Sequence, residues 1–160
     1  MSTPTSGVLR RPLVLGALAL AQLALVAVGV APQLSARTTG ETYLIRTAPV
    51  DPIDPFRGAY VELTYPGLTR EDDAPRGTVH VELLEDGALV RPGRWLTSRP
   101  DAGPYLICRS DGWQARCGIE SLFVPQDRAR ALERDLVDGG VAEIRVDSRG
   151  NAAVVDVRAG

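Results

Sequence analysis

The sequence predicts an α+β protein: a single N-terminal transmembrane helix followed by a small antiparallel, β-rich domain carrying one helix. Three observations predict it. An uncharged apolar run lies near the N-terminus. A series of short segments then alternates apolar and polar residues between turns rich in Gly, Asp and Pro. One later segment, Pro125 to Asp138, repeats its apolar residues at helical spacing.

The apolar run, Leu13 to Ala31, reads LVLGALALAQLALVAVGVA, 19 residues with no charge and one polar side chain, Gln22. As a helix rising 1.5 Å per residue it matches a hydrocarbon layer about 30 Å thick. Arg10 and Arg11 precede it, and Arg37 follows on the far side. By the positive-inside rule, residues 1–12 stay in the cytoplasm and residues 13–31 form the anchor. Residues 32–40 then form a short polar linker, and residues 41–160 an extracytoplasmic domain. The rival reading is a cleavable signal peptide, with Ala27-Val28-Gly29 as a cleavage site. The run is longer than the ~7–15 residues such signals use, and Pro32 hinders cleavage after Ala31. Either reading places the domain in the same compartment.

The strands follow in order. ETYLIRT (41–47) is the first, and AYVELTY (59–65) ends at Pro66-Gly67, a turn pair. TVHVELL (78–84) alternates Val79, Val81 and Leu83 against His80 and Glu82, and Asp86-Gly87 turns it into ALV (88–90). YLICR (105–109) and WQARCGIE (113–120) flank Ser110-Asp111-Gly112, while AEIRV (142–146) and AVVDV (153–157) flank Asp147 to Asn151. In the helix, Pro125 suits the first turn and Asp127 the positive end. Ala129, Leu132 and Leu136 make an apolar stripe, and Gly139-Gly140 can close the C-terminus. The expected architecture is a sheet curled around this helix.

Composition narrows the function classes. All 18 basic residues are Arg, and residues 32–160 carry 16 of them against 20 acids, a net charge of −4. Such a domain has no basic patch for nucleic acid and no lipid-seeking surface. One His and two Cys are too few for the four ligands of a zinc site, and no cofactor is predicted. His80 reads as a surface or half-buried residue. Ser110 and Ser121 lack a nucleophile elbow, and Trp95 and Trp113 fit core or interface equally.

Cys108 and Cys117 are the only cysteines. A four-residue loop, Asp111 to Gln114, pairs Ser110 with Ala115 and hence Cys108 with Cys117, within disulfide range at about 4.5 or 5.5 Å between Cα atoms. A two-residue Asp-Gly loop instead pairs Cys108 with Ala115. Two buried thiols are the alternative to a bond.

The stretch DPFRGAYVELTY (54–65) carries the remaining candidates. In its structural reading, Asp51-Pro52 and Asp54-Pro55 initiate turns, and Gly58 supplies backbone freedom. Leu63 is core, Tyr60 and Tyr65 cover sheet edges, and Arg57 pairs with Asp51 or Asp54. In the recognition reading, Asp51, Asp54 and Arg57 form a contact cluster beside the tyrosines. A catalytic reading makes Asp51 and Asp54 an acid/base pair, without a recognisable nucleophile.

GAYVELTY (58–65) resembles the signature of the GDYXXLXY family of bacterial membrane-anchored proteins. Gly58, Tyr60, Leu63 and Tyr65 match, and Ala59 stands where the family's Asp is expected. RTAPVDPIDPFRG (46–58) is similar to the approach to that motif, and GIESLFVPQ (118–126) to the later segment leading into the helix. The resemblance implies a membrane-anchored bacterial protein with an extracytoplasmic domain of unestablished activity; together with the apolar run and Arg10 and Arg11 before it, this reads as a single-pass protein of the bacterial inner membrane, N-terminus inside. The leading expectation is a non-enzymatic accessory module that touches the lipid bilayer through residues 13–31 and binds another membrane or envelope protein. An envelope hydrolase using the Asp51/Asp54 corner and a small-ligand sensor are the alternatives.

Overall fold

A computed structural model describes residues 10–48, 60–69 and 74–160. The chain divides into a first unit ending at Pro32 and a second, Gln33–Gly160. Helix α1, Arg10–Thr39, begins in the first unit and ends in the second. Its stretch Val14–Thr39 is long and apolar enough to cross a membrane, with a mean hydropathy of 2.3. Side chains from Val14 to Pro32 are exposed.

Residues 33–39, expected as a linker, are helical. Their polar side chains find partners within the second unit. The Gln33 amide donates to the Gly118 carbonyl at 2.9 Å, and the Arg37 guanidinium donates to the Val154 carbonyl at 3.2 Å. Ala36 is fully buried. Arg145 donates to the carbonyls of Arg37 and Gly40, satisfying acceptors that a helix end leaves open.

Among the described residues, nine strands and a second helix follow: β1 (Glu41–Thr47), β2 (Tyr60–Glu62), β3 (Gly77–Asp86), β4 (Leu89–Leu96), β5 (Tyr105–Ser110), β6 (Ala115–Arg116), β7 (Ser121–Phe123), α2 (Gln126–Asp135), β8 (Gly140–Val146) and β9 (Ala152–Ala159). Seven form one sheet in the order β6-β5-β3-β4-β1-β8-β9, and β2 and β7 form a separate ribbon. The α+β class is as the sequence predicts. Pairing is mostly antiparallel, but β1 runs parallel to β4, in register at Ile45 and Val90. That pair joins strands from distant parts of the chain, so no turn signal announces it.

Several strand limits differ from the sequence reading. β4 runs through Pro92 and Gly93 because the β3–β4 register shifts between Val81 and Leu83, a bulge that tolerates the missing proline donor. The motif strand stops at Glu62. Beyond it Leu63 N–H donates to the Glu120 carbonyl, while the Thr64 carbonyl accepts from Ala48 N–H. The chain thus changes partner in mid-run. β6 is two residues long because the Glu120 carboxylate takes the N–H groups of Cys117 and Gly118, bending the chain into a turn.

The sheet's core face follows the strand period of two: Val79, Val81 and Leu83 on β3, Leu106 and Cys108 on β5, Ala142, Ile144 and Val146 on β8, all buried. The Ala129, Leu132 and Leu136 stripe of α2 joins the same core. The sheet also curls back on itself. Ile107 N–H donates to the Gly150 carbonyl at 2.8 Å, so the β8–β9 turn occupies the edge of β5 that short β6 leaves open. Gly150 has φ +81°, and an added Cβ would lie 2.4 Å from Tyr105 Cε2. Only glycine allows this approach.

Candidate functional site

The expected site residues Asp51, Asp54, Arg57 and Gly58 lie outside the described residues, and of Tyr60 only the backbone is described, paired with Phe123. From Val61 to Tyr65 the motif alternates between core and solvent, and Tyr65, expected to cover a sheet edge, lies in the core instead. Val61, Leu63 and Tyr65 are buried, and Glu62 and Thr64 between them are exposed. The Tyr65 hydroxyl donates to the Ile119 carbonyl at 2.8 Å. Burial, reinforced by the charge of Glu120, pushes its pKa far above the ordinary phenol value.

The segment Cys117–Glu120 is where several of these contacts meet. It receives the Tyr65 hydroxyl at Ile119, the Leu63 N–H at Glu120 and the Gln33 amide at Gly118. Cys117 also forms a disulfide with Cys108, their Cα atoms 4.1 Å apart. The pairing of Arg109 with Arg116 and Ser110 with Ala115 sets the two cysteines opposite each other, the register of the four-residue loop. Asp111 shapes that loop by accepting the N–H groups of Gln114 and Trp113, which lower its pKa.

A second polar centre lies at the β8–β9 turn. Asp147 is buried, and its carboxylate accepts from Ser35 Oγ at 2.5 Å, from Asn151 Nδ2 at 2.9 Å and from the N–H groups of Arg149 and Asn151. Burial alone would raise its pKa. The hydrogen bonds from Asn151, Ser35 and the backbone together outweigh that penalty, and the carboxyl titrates below its ordinary range. The Arg149 guanidinium stands 3.7 Å away.

Beside this centre opens a cleft of about 470 Å³, where the start of β1, the start of β5, the end of β8 and the 99–104 loop meet. Tyr43 and Glu41 line it from β1, Tyr105 from β5, and Arg99 and Pro104 from the loop. The Tyr43 hydroxyl donates to Glu41 Oε2 at 2.8 Å. Burial, then this hydrogen bond and the carboxylate charge, push the Tyr43 pKa up to about 12. Arg99 Cζ sits 5.4 Å from the centre of the Tyr105 ring, and its Nη2 donates to the Ser148 carbonyl at 3.2 Å. The sequence does not announce this cleft. Its walls come from four separate segments, and no two of its side chains make a recognisable motif.

Other candidates settle into plain roles. Trp95 is buried and donates to the Gly67 carbonyl, whereas Trp113 is 60% exposed. His80 is half-buried, 5.5 Å from the Tyr105 ring, and its Nδ1 is enclosed without a hydrogen-bond partner. Ser110 Oγ accepts from Gly112 N–H, a local turn bond. Among the described residues, no group of three or more His, Cys, Asp or Glu is placed to hold a metal ion.

The family model described as GDYXXLXY protein matches residues 22–157. Searches of the curated proteins and of the solved structures returned no match. The family match takes in part of α1, the motif, the disulfide hairpin, α2 and the strands after it. On that match the chain belongs to the GDYXXLXY family.

Proposed function

We propose that this is a single-pass protein of the bacterial cell membrane, N-terminus inside, whose outer domain is a non-enzymatic accessory module for another membrane or envelope protein. One observation carries the placement: a helix long and apolar enough to cross a membrane precedes a domain whose two cysteines are bonded to each other. Disulfides persist in oxidising compartments, and Arg10 and Arg11 before the apolar run favour a cytoplasmic N-terminus. The accessory role is supported by the motif's inward-facing positions, which build the domain rather than present reacting groups. Phe123, 80% exposed on the strand paired with the motif strand, offers an aromatic contact of the kind that anchors protein interfaces.

A reporter enzyme fused after Gly160 tests the placement. Activity confined to the outside is expected, and a cytoplasmic signal overturns it. Affinity purification of the intact protein from mild detergent tests the role. A defined membrane or envelope protein should be recovered in stoichiometric amount, and should be lost from a Phe123→Ser variant that still folds. Repeated recovery of the chain alone counts against the role.

A further inference from the structure

We propose that the cleft formed by Glu41, Tyr43, Arg99 and Tyr105 is a binding site for a neutral saccharide. The ligand class rests on the cleft alone. The outer-domain reading adds only where such a ligand would be met.

Size comes first. A cleft of about 470 Å³ falls within the range of small-ligand sites and has room for one or two sugar rings. Its polar groups come next. Arg99 is donor-only; one nitrogen is committed to the Ser148 carbonyl, and the Tyr105 ring backs the guanidinium. Glu41 is acceptor-only, and the Tyr43 hydroxyl steadies its carboxylate. A fixed donor and a fixed acceptor on one cleft suit hydroxyl groups, each of which both donates and accepts. The Tyr43 ring, packed against the core, adds a rigid apolar surface suited to the C–H face of a pyranose.

Charge balance selects a neutral ligand. Arg99 offsets Glu41 around the cleft. The Asp147 carboxylate at its margin is already taken up by Ser35, Asn151 and backbone N–H groups, with Arg149 nearby. An anion would meet Glu41, and a cation would meet Arg99. A polyhydroxylated neutral molecule uses both members of the pair without opposing either.

Isothermal titration calorimetry on the full chain tests this. The detergent should be a polyoxyethylene ether, which carries no sugar. The probes are N,N′-diacetylchitobiose and maltose, with sodium acetate and tetramethylammonium chloride as ionic controls. Saturable binding of at least one disaccharide is expected. Glu41→Gln and Arg99→Ala should each weaken it about tenfold, the effect of losing a hydrogen bond to a charged group. Both side chains are exposed or on a loop, and an unchanged melting temperature confirms that each variant folds. Absence of saturable heat from both disaccharides overturns the proposal. So does undiminished binding in both variants, or binding of an ionic control in place of the sugars. The titration does not depend on compartment, so a cytoplasmic reporter signal would strike the proposed function and leave this result standing.

Discussion

The Tyr65 hydroxyl reaches across the core to the Ile119 carbonyl, 2.8 Å away and 54 positions along the chain. This bond ties the last residue of the family motif to the turn that follows the disulfide. It gives that tyrosine a structural reason to be a tyrosine: the ring fills the core, and the hydroxyl satisfies a carbonyl that the bend at Cys117–Glu120 leaves without a strand partner.

Removing only the hydroxyl separates the two contributions. Tyr65→Phe keeps the ring and orphans the Ile119 carbonyl, so it should cost about 1–3 kcal/mol. Tyr65→Leu also changes the core shape and should cost more. Urea unfolding of the full chain in detergent, followed by tryptophan fluorescence, in which buried Trp95 changes environment more than exposed Trp113, measures both. A Tyr65→Phe midpoint equal to wild type would show that the bond contributes nothing.

Asp147 is expected to contribute to the acid stability of the second unit. Its folded-state pKa is depressed, so the stability it contributes is present above the unfolded value of about 3.9 and is lost as pH falls through the folded value. Asp147→Asn should lower stability at pH 7 by roughly 1–3 kcal/mol, because the backbone N–H groups of Arg149 and Asn151 lose a charged acceptor. The variant should also unfold with a shallower pH dependence below about pH 4. Melting temperatures between pH 2 and pH 7 report both effects. Parallel curves for variant and wild type would exclude Asp147 as the titrating group.

Some of this was legible in the sequence for a definite reason. The hairpins at Asp86-Gly87, Asp111–Gln114 and Asp147–Asn151 are made by local turn chemistry, so Asp and Gly announce them. The stripe of α2 is periodic and equally plain. The parallel β1–β4 pair and the β2–β7 ribbon are backbone pairings between distant segments, which leave no mark on side-chain order. The same applies to the cleft. Glu41, Arg99 and Tyr105 become neighbours only when the sheet curls and the β8–β9 turn meets β5. Strand alternation places Leu63 in the core, whereas the partner of the Tyr65 hydroxyl at Ile119 lies on a distant segment that residue spacing does not reveal.

Closure of the sheet depends on Gly150. Gly150→Ala faces two penalties at once: a positive φ that L side chains rarely adopt, and a Cβ placed against the Tyr105 ring. A loss of about 2–4 kcal/mol is expected, with Tyr105 displaced from beneath Arg99. Saccharide affinity at the cleft should therefore fall together with stability. Gly87→Ala is the control. Its φ is also positive, at +66°, but its Cβ meets nothing within 4 Å. Melting curves that fall equally for the two variants would show that conformational strain alone, without the contact to Tyr105, accounts for the loss.

The disulfide closes a short loop, nine residues in sequence separation between Cys108 and Cys117. Chain-entropy arithmetic for a loop of that size gives about 2.5 kcal/mol of stabilisation. Both cysteines are buried, at 4% and 7% exposure, so reductant should act mainly on the unfolded chain. The paired substitution Cys108→Ala/Cys117→Ala should lower the unfolding midpoint by an amount matching that figure, with one extra contribution. Cys117 begins the turn that Tyr65, Leu63 and Gln33 all contact, so loosening it should also shrink the cost of a further Tyr65→Phe substitution. A double-mutant cycle between the disulfide and Tyr65 measures that coupling, and strict additivity would show that the bond and the tyrosine stabilise the turn independently. The bond itself is checked by alkylating the protein without reductant as it leaves its native compartment. No labelled cysteine is expected, and two labelled cysteines would exclude the disulfide and with it the argument for an oxidising compartment.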